Sequence, residues 1–244
     1  MTVGLVQLVG AGPGDPKLLT VRAMECLERA DVVAYDELVT QAILALCPPD
    51  CERLAVGRRH RASVVSYRLH PDVLARARAG KRVVRLKAGD PLVFGRGGEE
   101  AEELAAAGIP FEIVPGVSAA LGAAASAGIP LTHREHASQV TFMTGHHAAD
   151  SLARSSLAPP IEGTLVLFMA AHKLGPNLKR LRDQGRAKDT PAAYVAAATT
   201  PQERVVVGTI GDLADRVGDV DPALPAVVIV GDVVSARRPP RRAP

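Results

Sequence analysis

Short apolar runs at residues 3–9, 31–35, 53–56, 82–86 and 111–114 punctuate the first half of the chain, and helical periods fill the gaps between them. The runs are dominated by Val, Leu and Ala, and are too short and too evenly apolar for surface helices, so they read as buried strands. Between them, residues 17–29 carry Leu19, Ala23, Met24 and Leu27 at helical spacing. Further helical patterns cover 41–47, 72–79 and 99–107, the last stopped by Gly108. A strand that must return parallel to its predecessor needs a crossover long enough to hold a helix. This alternation therefore argues for an α/β fold, a mostly parallel sheet flanked by helices.

The pattern changes at Pro115 and Gly116. An Ala-rich helical stretch leads to a Gly-Ile-Pro turn at 128–130. Strands are then expected at 139–144, 164–169, 193–197, 203–209 and 226–230, with helices over 174–184 and 211–217 only. Residues 200–204 read as a hairpin or a crossover loop. These features place an N-terminal α/β domain over 1–115, a C-terminal α/β domain over 116–235, and a basic Pro/Arg tail, expected to be disordered, over 236–244.

Composition removes several function classes. No stretch approaches the roughly 20 apolar residues of a membrane span, and no charged segment precedes the first apolar run as in a secretory leader. Three cysteines, an odd number, argue against a disulfide framework and fit a reducing cytoplasm. Four Phe, three Tyr and no Trp are too few for a nucleic-acid stacking platform. Four of the 29 basic residues, Arg237, Arg238, Arg241 and Arg242, lie in the tail. The remaining 25 face 26 acids, so the folded body has no basic excess for a nucleic-acid face.

Two loops have the composition of ligand sites. Gly10-Ala-Gly-Pro-Gly-Asp15 ends the first strand, where glycines permit positive φ and close approach of a ligand to backbone. It departs from the G-x-G-x-x-G dinucleotide fingerprint because Asp15 stands where the third Gly belongs, and Pro13 removes an amide. The second loop, residues 88–98, follows the fourth strand and combines Asp90 in a Gly-Asp-Pro turn with Gly95, Arg96, Gly97 and Gly98. Open α/β sheets hold ligands at the carboxyl ends of their strands; a capped helix start with Glu99 and Glu100 is the structural alternative. The histidines and Cys47–Cys51 lack metal-site spacing, so no metal is expected, and no Gly-x-Ser-x-Gly elbow is present.

Taken in order, the motifs resemble the tetrapyrrole methylase family from about residue 3 to 234. The carriers are Leu-Val-Gly-Ala-Gly-Pro-Gly-Asp-Pro at 8–16, Ala-Asp-Val-Val-Ala-Tyr-Asp at 30–36, and Lys-Arg-Val-Val-Arg-Leu-Lys at 81–87 with Gly-Asp-Pro at 89–91. Phe-Gly-Arg-Gly-Gly-Glu-Glu at 94–100, Val-Pro-Gly-Val-Ser-Ala at 114–119, Gly-Ile-Pro-Leu-Thr-His-Arg at 128–134, Val-Thr-Phe-Met-Thr-Gly-His at 140–146 and Thr-Thr-Pro at 199–201 complete the set. The Leu-Thr-His-Arg and Thr-Gly-His blocks favour the uroporphyrinogen branch.

The resemblance implies a two-domain homodimer with its active-site cleft between the domains. It implies S-adenosylmethionine as methyl donor, S-adenosylhomocysteine as product, and two methyl transfers to uroporphyrinogen III, at carbons 2 and 7. Precorrin-1 and then precorrin-2 would result, feeding sirohaem and cobalamin synthesis. By position, Pro13, Ala88, Gly89, Asp90, Val93, Ser118, Ala119, Met169 and Ala198 would contact the cofactor. Asp36 would accept a proton, and Arg58 falls on the proposed donor position.

The residue chemistry suits that role. A carboxylate such as Asp36 can take the proton that a methylated, cationic pyrrole must lose. Arginine forks suit a substrate with eight carboxylates; the chain has 23 Arg against six Lys, and Arg58, Arg59 and Arg61 share one loop. Arg58 stands where the family usually has Lys, and arginine is a poor proton donor, so it is expected to anchor substrate. Ala88 and Ala198 replace family glycines, and positive φ at either would be strained. Residues 62–72 also leave the common pattern. With no dehydrogenase–ferrochelatase extension in the sequence, methylation alone is expected. The alternatives are a methyltransferase acting on a later precorrin and, more distantly, a nicotinamide-dependent oxidoreductase built on residues 10–14 and Asp31.

Overall fold

The computed structural model describes residues 3–57, 69–145 and 160–240. The chain divides into two compact units, Met1–Ala119 and Ala120–Pro244, each holding one five-stranded sheet.

In the first unit, strands β1 (Val6–Gly10), β2 (Val32–Tyr35), β3 (Glu52–Ala55), β4 (Val83–Lys87) and β5 (Phe111–Val114) are ordered β3-β2-β4-β1-β5. Every pairing is parallel. Helices α1 (Val21–Glu28), α2 (Gln41–Leu44), α3 (Pro71–Arg78) and α4 (Gly97–Ala106) form the crossovers. The two-residue period of the strands sorts the core into two layers. Val9, Val33, Val84 and Leu86 pack with Ala23, Cys26, Leu27, Ile43 and Leu44. Val6, Leu8, Val32, Ala34 and Val83 pack instead with Val73, Ala77 and Leu104.

That division follows from handedness. The chain moves one way across the sheet from β1 to β2 to β3, and the other way from β3 to β4 to β5. Right-handed crossovers then put α1 and α2 on one face and α3 and α4 on the other. Neighbouring β1 and β4 therefore send their chains to opposite faces, and their carboxyl ends border a crevice.

The expected helix over 17–29 is broken. Asp15 caps a 3-10 turn at Pro16–Leu18, accepting from the Lys17 amide at 2.9 Å. Thr20 then caps α1 through the Ala23 amide at 3.1 Å. Two N-caps in quick succession restart the helix, which spacing alone does not reveal. Cys26, Cys47 and Cys51 are free and buried, and burial pushes the Cys51 thiol up to about 11.

The second unit is built differently, and it settles residues 200–204 as part of a hairpin. Strands β6 (Val140–Thr144), β7 (Thr164–Phe168), β8 (Pro191–Ala196), β9 (Arg204–Thr209) and β10 (Ala226–Val230) are ordered β6-β7-β10-β8-β9. Only β6 and β7 run parallel; the other pairings are antiparallel. Residues 197–203 form a hairpin loop, too short for the crossover a parallel pair requires. Helix α5 is Ala119–Ala127, and helices α6 (Leu174–Asp183) and α7 (Leu213–Val217) cover one sheet face through Leu174, Leu178, Leu181 and Leu213. The buried Arg186 guanidinium donates to the carbonyls of Pro160, Glu162 and Gly163.

The tail is held at its start. The Arg237 side chain donates to the Ala127 carbonyl at 2.9 Å, and the Arg238 amide to the Gly128 carbonyl at 2.8 Å. Arg241 and Arg242 lie outside the described residues. No helix among the described residues is long and apolar enough to cross a membrane.

Candidate active site

At the mouth of the crevice, three loops touch through backbone. Gly12 and Gly89 exchange hydrogen bonds, 3.1 Å from the Gly12 amide and 2.8 Å from the Gly89 amide, closing an antiparallel bridge beyond the parallel pair β1–β4. A Cβ on Gly10 would stand 2.5 Å from the Gly116 nitrogen, and one on Gly116 would stand 2.3 Å from the Gly89 oxygen. These approaches exclude a side chain at Gly10 and Gly116, and a φ of 69° favours glycine at Gly89, so glycine stands at the carboxyl ends of three neighbouring strands. Pro13 lies in the first of these loops, between Gly12 and Gly14 with φ of 74° and 141°.

Asp90 is the staple between the second and third loops. One carboxylate oxygen accepts from the Leu92 amide at 2.9 Å, and the other accepts from the Gly116 amide at 3.0 Å. The Gly89 position, at φ 69°, places an added Cβ only 3.4 Å from the Ala119 nitrogen. Ala88, Gly89, Asp90, Ser118 and Ala119 thus converge, with Ser118 buried. Val93 follows in the same loop, its amide donating to the Asp90 carbonyl at 3.3 Å. Ala88 has negative φ and carries none of the strain its replacement of glycine raised as a concern. The small side chains and glycine backbone of these loops fit a ligand that approaches main chain closely.

In the second unit, Met169 follows β7 and Ala198 follows β8. Both strands pair antiparallel to β10, so both residues sit at the same end of the sheet, one strand apart. Ala198 is itself unstrained; the left-handed conformations fall on Ala197 (φ 45°) and Thr199 (φ 67°), with Met169 at 55°. Phe94 (54°) and Arg96 (58°) share this property in the loop after β4. Every non-glycine positive φ among the described residues therefore lies in a loop at a strand's carboxyl end. Such strain persists only where surroundings enforce it, and it gathers at ligand sites.

Asp36 directly follows β2 and belongs to a largely buried ionic group. Its Oδ1 accepts from Arg85 Nη2 at 2.5 Å, and its Oδ2 lies 3.9 Å from Lys87 Nζ. Glu100, at the start of α4, receives Lys87 Nζ at 2.9 Å and Arg85 Nη2 at 3.1 Å on a single oxygen. Arg85 and Lys87 side chains are 6% and 2% exposed, Glu100 is 12% exposed and Asp36 27%. Burial, with the Arg85 charge beside it, pushes the Lys87 ammonium down, against the pull of Asp36 and Glu100.

Arg85, Lys87 and Glu100 share an ionic group with Asp36 that the sequence reading missed. The signal was available: period-two alternation puts Asp36, Arg85 and Lys87 on one sheet face, inside runs otherwise apolar. Arg58, Arg59 and Arg61 lie outside the described residues. The chain leading to them is placed, with the Gly57 amide 3.4 Å from the Tyr35 carbonyl. A Cβ on Gly57 would stand 2.8 Å from the Asp36 Cα. Elsewhere, His133, Glu135 and His136 offer metal-ligand atoms within 4.8 Å of one another, with His133 Nδ1 accepting from the Glu135 amide at 3.2 Å.

The profile of the family described as Tetrapyrrole (Corrin/Porphyrin) Methylases matches residues 6–214. The chain belongs to the tetrapyrrole methylase family. Among its relatives in that family, a siroheme synthase of Pseudomonas fluorescens (strain Pf0-1) is 51% identical over 240 residues, covering 97% of this chain and 52% of that protein. The chain thus spans about half the length of the curated relatives it matches. A uroporphyrin-III C-methyl transferase from Thermus thermophilus, solved with S-adenyl homocysteine, is 40% identical with a TM-score of 0.81, covering 96% of this chain and all of that one. A cobalt precorrin-4 methyltransferase is 32% identical with a TM-score of 0.78, covering 94% and 95%. Both neighbours share the two-sheet α/β architecture of the methylases.

Proposed function

We propose that this chain methylates uroporphyrinogen III at carbons 2 and 7, giving precorrin-2 through precorrin-1. The observation that carries the reading is the 40% identity, across the whole of its length, to a uroporphyrin-III C-methyl transferase solved with S-adenyl homocysteine. The siroheme synthases, of which this chain spans about half the length at 51% identity in one case, favour delivery of the product to sirohaem; cobalamin supply, a homodimer and a cytoplasmic setting belong to the same proposal.

S-adenosylmethionine supplies an electrophilic methyl group on a sulfonium. The glycine and alanine loops around Gly89, Asp90, Ser118 and Ala119 are assigned to binding it, with Pro13, Ala88 and Val93 beside them and Met169 and Ala198 from the second unit. Holding a nucleophilic pyrrole carbon in line with that methyl is the larger part of catalysis, because positioning alone converts a bimolecular encounter to a near-unimolecular step. The attacking ring carbon forms the new C–C bond as the methyl–sulfur bond breaks and S-adenosylhomocysteine leaves; the pyrrole ring takes up the positive charge, and Asp36 accepts the proton then shed from an adjoining carbon. Arg58, Arg59 and Arg61 are assigned to the substrate carboxylates, in keeping with guanidinium geometry.

The test is an anaerobic incubation of the purified protein with S-adenosylmethionine and uroporphyrinogen III, read by mass spectrometry. A product with two added methyl groups is expected. Its absence, with methylation of a later precorrin in a parallel incubation, would transfer the assignment to the second reading, which the 32% identity to a cobalt precorrin-4 methyltransferase supports.

A further inference from the structure

The ionic group behind Asp36 is arranged unevenly. Two cations and two carboxylates make a neutral set, yet Glu100 carries more than its share. One of its oxygens meets Arg85 Nε at 3.2 Å, Arg85 Nη2 at 3.1 Å and Lys87 Nζ at 2.9 Å. The other is buried and receives no hydrogen bond among the described residues. A buried carboxylate oxygen left bare costs stability. Asp36, by contrast, is engaged on Oδ1 only: Arg85 holds that oxygen, and no hydrogen bond from the described residues reaches Oδ2. Strand register sets Asp36 beside Lys87, since Tyr35 pairs with Leu86. Even so, Lys87 turns away to Glu100 and leaves 3.9 Å to Oδ2.

We propose that Glu100 is a positioning residue: by drawing Lys87 to itself, it keeps Asp36 Oδ2 open to receive the substrate proton while Arg85 fixes the carboxylate through Oδ1. The inference rests on the reading of Asp36 as the proton acceptor. In that step the C–H bond of the methylated cationic ring breaks, its electron pair returns to the ring, and the proton goes to Oδ2. Asp36 becomes neutral and releases the proton to water on its exposed side. Without the Glu100 charge, Lys87 has one carboxylate left to satisfy, and closing about 1 Å makes a direct charged hydrogen bond to Oδ2. The oxygen that should accept the proton would then be capped by an ammonium.

The experiment compares single-turnover rates and KM values for Glu100→Gln, for the double variant Lys87→Met/Glu100→Gln, and for Asp36→Asn, with uroporphyrinogen III and S-adenosylmethionine. Glu100→Gln is expected to slow single-turnover formation of the deprotonated monomethylated product about ten-fold or more, with both KM values within about two-fold of wild type. Removing Lys87 as well takes away the capping group, so the double variant is expected to be several-fold faster than Glu100→Gln. A wild-type rate in Glu100→Gln overturns the inference. So does a double variant no faster than the single, because a merely structural role cannot be relieved by a second deletion. If Glu100→Gln does not fold, the double variant decides, since its remaining Asp36–Arg85 pair is charge-balanced. A rate within about three-fold of wild type then supports the inference, and a larger loss overturns it. Asp36→Asn separates the two levels. A wild-type rate there removes the reading of Asp36 itself, whereas an inactive Asp36→Asn beside an unaffected Glu100→Gln removes only the role of Glu100.

Discussion

Met169, Ala197 and Thr199 hold left-handed backbone although each carries a Cβ. The conformation costs an L-residue about 1–2 kcal/mol, and the surroundings enforce it. The Thr199 amide donates to Glu203 at 2.7 Å, and the Thr200 hydroxyl to the Ala197 carbonyl at 2.7 Å. Met169 is the cleanest place to measure the strain, because it is 43% exposed and surrenders little packing. Met169→Gly relieves the strain but loses more chain entropy on folding, roughly 0.5–1 kcal/mol. The expected result is a small gain in stability, below about 1 kcal/mol, together with several-fold weaker binding of S-adenosylhomocysteine. Urea unfolding and calorimetric titration measure the two effects. Lower stability with unchanged affinity would show that the strained turn serves the fold and no ligand. The sequence named Met169 and Ala198 through motif resemblance. Positive φ on the neighbours of Ala198 was not legible, since neither Ala197 nor Thr199 is a residue type that announces it.

At the scale of elements, the latch between the loops after β1, β4 and β5 is the most sharply constrained feature of the first unit. Gly116→Ala drives a methyl to 2.3 Å from the Gly89 carbonyl oxygen, with Gly10 Cα at 2.8 Å. Both obstacles are backbone, so no side-chain rotation relieves the clash. A loss of roughly 1–3 kcal/mol is expected, accompanied by weaker cofactor binding as Asp90 loses its geometry to the Gly116 amide. Gly98→Ala is the control, because a Cβ there meets nothing within 4 Å. Equal stability of the two variants would dismiss the latch. The glycines were visible in the sequence as turn residues, and their loops were placed correctly at strand ends. That three of them meet was not visible, because the contacts join segments from 27 (Gly89 to Gly116) to 106 (Gly10 to Gly116) positions apart along the chain.

Across the whole molecule, the charged groups at the surface work as ties between elements. Arg82 holds the Asp31 carboxyl below its ordinary range, Arg76 does the same to Glu52, and Arg22 with Gln7 to Glu112. In the second unit the Thr209 amide and Arg216 lower Asp212. A carboxylate whose pKa is lower folded than unfolded stabilises fully above the unfolded value, and that contribution is lost as pH falls through the folded one. The ordinary values are 3.8 for Asp and 4.5 for Glu. Stability is therefore expected to hold from neutrality to about pH 5 and to decline below 4.5. Because the pairs are exposed, each is weak and the decline should shrink in high salt. Urea midpoints at pH 7, 5 and 3.5, with and without 0.5 M salt, check both statements. A midpoint that does not move with pH would mean the same carboxyls are equally paired in the unfolded chain.

The sequence by itself determined the class of the first unit, because strand length, apolar uniformity and intervening helical periods leave few alternatives to a parallel sheet. It also determined where the glycine loops begin, since turn glycines and a missing amide are local facts. The tertiary structure decided what local patterns leave open. In the second sheet the short hairpin loop makes β8 and β9 antiparallel, while β10 pairs antiparallel between β7 and β8, a matter of which strands find each other. The quartet of Asp36, Arg85, Lys87 and Glu100 emerged only when β2, β4 and α4 were packed together. Charge pairing in a low-dielectric interior depends on distances across the sheet, and those are set by strand order rather than by spacing along the chain.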